Sequence, residues 1–218
     1  PLSDALLLLH RPPNDVDVTA LEQGTHPAQQ RLVFEELLAQ NLSLLKVREQ
    51  GQQVKAVALN PVNTLESQFL EQLPFAPTNA QSRVVAEIKG DMQHAYPMMR
   101  LVQGDVGSGK TLVAALSALT AIAQGFQVAL MAPTEILSEQ HGVNFTTWFN
   151  QLGITVAWLG GKTKGKERVA TLEKIASGEA QMIVGTHALF QDEVKFNNLV
   201  LVVIDEQHRF GVHQRMAL

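Results

Sequence analysis

Hydrophobic positions alternate between two patterns from about residue 76 onward. Short apolar runs, each followed by a polar or glycine-rich turn, predict strands at 98–103, 127–131, 154–159, 181–184 and 199–204. Helix-spaced apolar residues between them predict helices at 79–94, 112–124, 135–150 and 164–177, and Gly125 and Gly178 stand where glycine commonly ends a helix. This alternation is typical of an α/β fold, in which helices cover both faces of a parallel sheet.

The first 75 residues follow a different pattern. A short helix is stopped by the prolines at 12 and 13, and irregular acidic sequence follows. Pro27 opens a long helical pattern that we expect to end at Gly51, and a capping box at residues 63 and 66 predicts another helix to about residue 73. We find no chemistry in this part, so we predict a helical arm or linker at 1–75 and an α/β domain at 76–218.

Composition excludes several classes of protein. The chain has no Cys, which rules out disulfide frameworks and Cys-based metal sites, and no apolar run approaches the ~18 residues of a membrane span. The formal net charge of −4 comes from the first 75 residues, and the rest is balanced, so contact with nucleic acid would need a local basic patch. Pro1 is not an initiator Met, so we expect the chain to be cut from a longer protein.

The clearest chemical motif is a phosphate-binding loop. The pattern G-x-x-x-x-G-K-[ST] is matched in full by Gly104, Asp105, Val106, Gly107, Ser108, Gly109, Lys110 and Thr111. Glycines let the backbone N–H groups curl around an anion, Lys110 can reach the outer phosphates, and Thr111 can offer its hydroxyl to Mg²⁺. A chance glycine turn is the alternative. The apolar run before the loop and the Ala/Leu-rich segment after it favour the phosphate site.

Two carboxylates follow the most strand-like run of the chain. Asp205 and Glu206 come directly after 199–204, and carboxylates at such a strand end face the crevice where open α/β sheets bind ligands. Asp205 is placed to hold Mg²⁺ with Thr111, and Glu206 to orient and deprotonate an attacking water. An acidic turn after a strand is the alternative, and the phosphate loop favours the catalytic interpretation.

The other strand ends also carry polar or glycine residues, among them Thr134, Gly161 and Thr186. Together they predict a ligand-lined sheet edge, although strand-to-helix loops use such residues generally and Thr134 could simply cap its helix. Four cations cluster near one predicted helix start, at Lys162, Lys164, Lys166 and Arg168. The helix dipole disfavours cations there and a bound polyanion would offset it, but a solvated lysine face is the more common explanation.

Thr78 and Gln81 allow two interpretations. Thr78-x-x-Gln81 is a capping box for the helix at 79–94, which accounts for both residues. A Gln amide can also donate to and accept from an adenine edge, so Gln81 is a candidate for base recognition.

The motifs, in order, resemble those of superfamily 2 DNA helicases and translocases. The resemblance rests on Phe75, Thr78 and Gln81, then GDVGSGKT, APTEIL, VGTH and DEQH, and their order is more specific than any one motif. More narrowly, the segments 101–111 and 203–215, and the arm at 24–45, are similar to the branched-DNA helicases of bacteria. A transcription-repair coupling translocase shares part of the pattern.

This resemblance implies a RecA-like P-loop NTPase domain that binds ATP and Mg²⁺ and acts on branched or forked DNA. It assigns Gln81 to adenine, residues 104–111 to phosphates and Mg²⁺, Asp205 to Mg²⁺ and Glu206 to catalysis. It places the DNA backbone against Thr134, Gly161 and Thr186, with Lys162 and Lys164 as further candidates, and gives His208 a role in coupling the nucleotide and DNA sites. An exposed histidine beside a loop is the plain alternative for His208.

The resemblance also implies a bacterial cytoplasmic protein that binds no membrane and does not depend on oligomer formation. The family's second motor domain, its arginine finger and its fork-recognising wedge are not found in the sequence, so we expect a fragment holding a linker and most of a first motor domain. Two other classes remain open at this point, a P-loop phosphotransferase for small molecules and a nucleotide-responsive binding module. An Asp-Glu pair on a separate strand and the lack of an Arg-rich lid disfavour the phosphotransferase.

Overall fold

The structure is a computed structural model, and it describes residues 1–61 and 64–206. The described chain forms two compact units, Pro1–Lys55 and Ala56–Leu218. In the sequence analysis the division falls at residue 75 instead. The residues between the two positions have core contacts in the second unit, where Leu59 is 3% exposed and Phe69 is 1% exposed.

The first unit is helical, as predicted, and consists of α1 (Leu2–His10), α2 (Val18–Glu22) and α3 (Pro27–Gln52). Helix α2 was not predicted; its signal is Asp17, whose carboxylate accepts the N–H of Ala20 at 3.0 Å as an N-terminal cap. Gly51 lies inside α3 rather than ending it. Only Ala5 and Ala28 are buried among the hydrophobic residues of this unit, so it has almost no core of its own.

The second unit contains the α/β domain. Its helices are α4 (Thr64–Gln72), α5 (Asn79–Met92), α6 (Lys110–Ile122), α7 (Glu135–Phe149) and α8 (Gly165–Ser177). Its strands are β1 (Gln127–Met131), β2 (Val156–Leu159), β3 (Met182–Gly185) and β4 (Leu199–Ile204). Gly125 and Gly178 both adopt positive φ just beyond helix ends, as the sequence predicts. Residue 63, the first residue of the predicted capping box, lies outside the described residues.

The sheet is parallel throughout, with strand order β2-β3-β1-β4. Because strand side chains alternate in direction, the two faces build separate cores. Val128 and Leu130 pack in the cluster that contains α5, α6 and α7 residues, whereas Ala129 packs in the cluster that contains Ile175 of α8 and Leu189. The predicted α/β architecture, with helices on both faces, is therefore confirmed.

One strand prediction is wrong in the structure. Residues 98–103 form no strand, and Met99 and Leu101 are 95% and 69% exposed. Apolarity alone does not make a strand, since each strand needs a hydrogen-bonded neighbour. Within the described chain β4 pairs only with β1, and its Val202 side chain remains 39% exposed.

No helix within 1–61 and 64–206 has both the length and the apolar composition needed to cross a membrane.

Candidate active site

The predicted site residues follow the carboxyl ends of the strands. Since all four strands run parallel, their carboxyl ends meet at one edge of the sheet. Thr134 follows β1, Gly161 follows β2, Thr186 follows β3, and the Asp205–Glu206 pair follows β4. The sheet topology therefore brings together residues that are up to 72 positions apart, at the edge where open α/β sheets bind ligands.

The loop from Gly104 to Gly109 leads directly into α6. Gly109 is the residue before the helix and has φ 79° and ψ 30°, a left-handed conformation that favours glycine. A Cβ at this position would lie 2.3 Å from Nε2 of Gln81. Helix α6 begins without a side-chain cap, so the positive end of its dipole faces the loop and can act on a bound anion.

Lys110, the first residue of α6, turns its ammonium back onto the loop. Its Nζ donates to the carbonyl oxygen of Gly104 at 2.7 Å and to that of Asp105 at 3.0 Å. Ser108 N–H closes the same turn by donating to Asp105 O at 3.1 Å. The loop thus holds the Lys110 cation against its own carbonyl oxygens, and Thr111 follows in the first turn of the helix.

Gln81 serves the capping box and the loop together. Its Oε1 accepts the backbone N–H of Thr78 at 2.8 Å, and Thr78 Oγ1 accepts the N–H of Gln81 at 3.3 Å. Its Nε2 donates to the carbonyl oxygen of Ser108 at 2.9 Å. The amide therefore ties the start of α5 to the phosphate loop.

Asp205 is held from two sides. Its backbone N–H donates to the carbonyl oxygen of Met131 at 2.8 Å, which extends the β1–β4 pairing beyond the strand end. Its Oδ2 accepts a hydrogen bond from Nε2 of His141 at 2.7 Å. This bond lowers the pKa of Asp205, the Lys110 ammonium lowers it further, and partial burial opposes both. The carboxylate is therefore ionised and lies within the field of the phosphate-loop lysine.

Glu206 adopts φ 51°, the one positive φ of a non-glycine residue in the described chain. Such a backbone is uncommon for a residue with a Cβ and is found more often at functional sites.

The donor set suits Mg²⁺ in an ATP complex. No cluster of three or more His, Asp or Glu side chains in the described chain could hold a metal by itself. Mg²⁺ in nucleotide sites uses one or two protein oxygens, with phosphates and water supplying the rest. An ionised Asp205 and the Thr111 hydroxyl match that requirement, and with ATP they would hold the ion.

A second part of the edge forms an open cavity of about 300 Å³ at the ends of β2 and β3. Gly161, Lys164 and Thr186 line it, together with Arg168, and no phosphate-loop residue does. Thr186 is 3% exposed, and its Oγ1 accepts the N–H of Ala188 at 3.5 Å. Three of the predicted DNA-contacting residues therefore meet in one cavity, apart from the nucleotide loop.

The other predicted DNA contacts have structural roles that are visible here. Thr134 caps α7, its Oγ1 accepting the N–H of Leu137 at 3.3 Å. Lys162 lies 3.9 Å from a carboxylate oxygen of Glu139, and both side chains are more than half exposed. His208 lies outside the described residues.

Two residues at this edge were missed by the sequence analysis, His141 and Glu135. Glu135 Oε1 accepts the backbone N–H of Gly161 at 2.6 Å and so joins α7 to the loop after β2. His141 lies beside the buried face of α7 formed by Ser138, Gly142 and Phe145. That helical spacing places His141 toward the sheet, but the sequence gives no reason to pair it with a carboxylate 64 residues away.

Comparison with known proteins identifies the class. The family model described as "DEAD/DEAH box helicase" matches residues 78–217, well over half of the chain. The chain belongs to the DEAD/DEAH box helicase family.

Its relatives within the family are named ATP-dependent DNA helicase RecG. The RecG of Pasteurella multocida is 65% identical over 217 residues and that of Escherichia coli K12 is 64% identical, and both matches cover 100% of this chain. The RecG of Bacillus subtilis is 49% identical over 192 residues, 88% of this chain and 28% of the relative. The chain spans 31% of the length of the first two relatives.

Solved structures agree with this resemblance. A structure of RecG bound to a three-way DNA junction superposes with a TM-score of 0.78 at 43% identity, covering 84% of this chain and 25% of that one. The UvsW helicase from bacteriophage T4 matches with a TM-score of 0.53 at 17% identity, over 73% of this chain and 56% of that one, which shows a shared fold.

Proposed function

We propose that this chain is the ATP-binding half-motor of an ATP-dependent DNA helicase of the RecG type, which remodels forks and junctions in recombination and repair. The observation that carries the proposal is the phosphate loop at the start of α6, with the Lys110 ammonium on its carbonyl oxygens, together with the Asp205 carboxylate at the end of β4. The relatives' names support an ATP-dependent DNA helicase, and the structure of RecG on a three-way DNA junction supports branched DNA as the substrate.

In the proposed mechanism each site residue has one task. The loop N–H groups and Lys110 bind the phosphates of ATP, and Gln81 holds the loop and contacts the adenine. Thr111 and Asp205 would hold Mg²⁺, and the ion would neutralise charge on the phosphates. Glu206 orients a water molecule and takes its proton as the water attacks the terminal phosphate.

We further propose that the cavity at the ends of β2 and β3 receives the DNA backbone. Gly161, Lys164 and Thr186 line it, and the Lys164 cation is the proposed phosphate contact, whereas Arg168 pairs with Glu193 and the Glu135 carboxylate also lines the cavity. Thr134 and Lys162 lie at the same edge and would extend the track. His208 remains the proposed coupling residue between the two sites. We expect the enzyme to act as a monomer in the bacterial cytoplasm, without a membrane.

The decisive experiment measures ATP hydrolysis by the full-length protein with different stimulants. We expect a three-way junction or forked DNA to stimulate turnover well above linear duplex of the same length. Stimulation by a small-molecule acceptor but not by DNA would favour a phosphotransferase instead. ATP binding without hydrolysis under any condition would favour a nucleotide-responsive binding module.

A further inference from the structure

His141 is a partly buried polar residue for which the proposed mechanism has no use. Its side chain is 13% exposed, and its Nε2 lies 2.7 Å from Oδ2 of Asp205. The two residues come from different elements, since His141 lies on α7 and Asp205 follows β4. This bond is the leading cause of the lowered pKa of Asp205 given above.

The position of the imidazole is fixed by its helix. Helix α7 packs closely on the sheet, because a Cβ at Gly142 would lie 3.1 Å from the Trp158 ring. Trp158 Nε1 also donates to Oγ of Ser138 at 3.2 Å, one turn before His141. Phe145, one turn after it, is fully buried. The ring is therefore carried by a helix segment that is anchored on both sides.

The carboxylate that receives the bond also accepts a hydrogen bond from the backbone N–H of Glu206, the next residue in the chain. Asp205 N–H is bonded to Met131 O, which fixes the main chain but leaves the side-chain torsions to be set by what the carboxylate contacts. A hydrogen bond from a fixed donor to one oxygen selects one orientation of the group. Side chains that hold metal ligands in this way commonly alter metal affinity by about 10–100-fold.

We infer that His141 is a positioning residue for Asp205, donating from Nε2 to Oδ2 and so orienting the carboxylate toward the Mg²⁺ of bound Mg·ATP. The inference rests on the proposed function, which makes Asp205 a ligand of Mg²⁺. It assigns no proton transfer and no contact with ATP to His141.

The test separates nucleotide binding with Mg²⁺ from binding without it. Affinity of the full-length protein for a fluorescent ATP analogue is measured in EDTA and across a Mg²⁺ titration. For His141→Leu we expect the gain in affinity that Mg²⁺ provides to fall about tenfold or more. Binding in EDTA should stay within about twofold, since the phosphate loop is unchanged.

Two further variants make the result specific. His141→Gln retains an N–H donor at a similar reach, and we expect it to recover most of the Mg²⁺ effect. Gln140→Ala alters an exposed neighbour on the same helix and should match the unmodified protein. Thermal unfolding of each variant shows whether it is folded. If His141→Leu is not folded, His141→Gln is compared with an equally folded His141→Asn, whose shorter amide reaches less far. A smaller Mg²⁺ effect in His141→Asn than in His141→Gln then supports the positioning role, and equal effects contradict it.

The outcomes distinguish this inference from the proposed function. An unchanged Mg²⁺ titration in the folded Leu variant, or equal losses with and without Mg²⁺, would overturn the positioning role alone. No nucleotide binding by the unmodified protein would overturn the proposed function and this inference with it.

Discussion

At the scale of single residues, a substitution of Glu206 gives the most direct test of the proposed hydrolysis mechanism. Glu206→Gln keeps the size and a polar head but removes the base, so we expect Mg·ATP binding to persist while hydrolysis falls by about 10²–10⁴-fold. Binding is measured with a fluorescent ATP analogue, and turnover with junction DNA present.

Lys110→Ala is the matched comparison for Glu206→Gln. Its ammonium bonds only to loop carbonyls in the described chain, so the fold should survive its loss, whereas nucleotide binding and hydrolysis should fall together. If Glu206→Gln lost binding and turnover in equal measure, as Lys110→Ala should, the residue would be a structural group or a metal ligand rather than the base.

Some of these residues can be predicted from the sequence and others cannot, for a physical reason. Phosphate-loop residues are neighbours in the chain, so their spacing is a local pattern that a sequence displays. The carboxylates of Asp205 and Glu206 are found because a strand end is local as well. The bonds from His141 to Asp205 and from Glu135 to Gly161 depend on packing between distant segments, which no local pattern encodes.

At the scale of elements, α4 connects residues 56–75 to the core of the second unit. Phe69 is 1% exposed and packs edge to face on Trp148 and Phe149, at centroid distances of 5.7 and 6.0 Å. Phe69→Ala should lower the free energy of unfolding by about 3–5 kcal/mol, as other large-to-small core changes do. The measurement is chemical denaturation followed by tryptophan fluorescence.

Phe75→Ala provides the control for α4. Because Phe75 is 53% exposed, its substitution should lower the free energy of unfolding far less than Phe69→Ala does. Equal and small effects of the two changes would show that α4 does not depend on this core, and would support an arm that extends to residue 75.

The basic cluster lies around the start of α8. The role of the cluster can be measured by the salt dependence of DNA binding. Reversing the charge of Lys162, Lys164 and Lys166 together should weaken DNA binding by the full-length protein for all sequences alike. The slope of log affinity against log salt should shrink by about one unit for each lost phosphate contact.

Lys174 lies near the other end of α8 and pairs with Glu179, so Lys174→Glu is the control for the charge change itself. If the slope of log DNA affinity against log salt is the same in both variants, the cluster is a solvated surface and does not contact phosphates.

Strands could be predicted from the sequence where an apolar run is also paired in the sheet. β1 and β4 have the bounds that their apolar runs predict, since both are hydrogen-bonded in the sheet. The run at 98–103 is mostly apolar but has no pairing partner in the described chain, so its hydrophobicity does not lead to a strand. Helix α2 was missed because five residues give too short a periodic pattern, and only its Asp17 cap identifies it.

At the scale of the whole molecule, the chain corresponds to 31% of the length of the Pasteurella multocida and Escherichia coli RecG proteins. We predict that these 218 residues alone bind ATP weakly, do not unwind DNA and hydrolyse ATP at least about 10³-fold more slowly than the full-length enzyme. The reason is the charge that must be stabilised on the transferring phosphate. An arginine finger contributes about 10³–10⁵-fold to such reactions.

Among the described residues, Arg100 and Arg168 form ion pairs with residues outside the phosphate loop. Arg100 pairs with Glu87 and Asp91, and Arg168 with Glu193, so Lys110 is the cation that the structure brings to the phosphate loop. Purified 218-residue chain and full-length protein, each mixed with ATP, Mg²⁺ and forked DNA, provide the comparison. DNA-stimulated turnover at equal rates would show that these residues hold a complete catalytic site, and the arginine would then have to be sought among them.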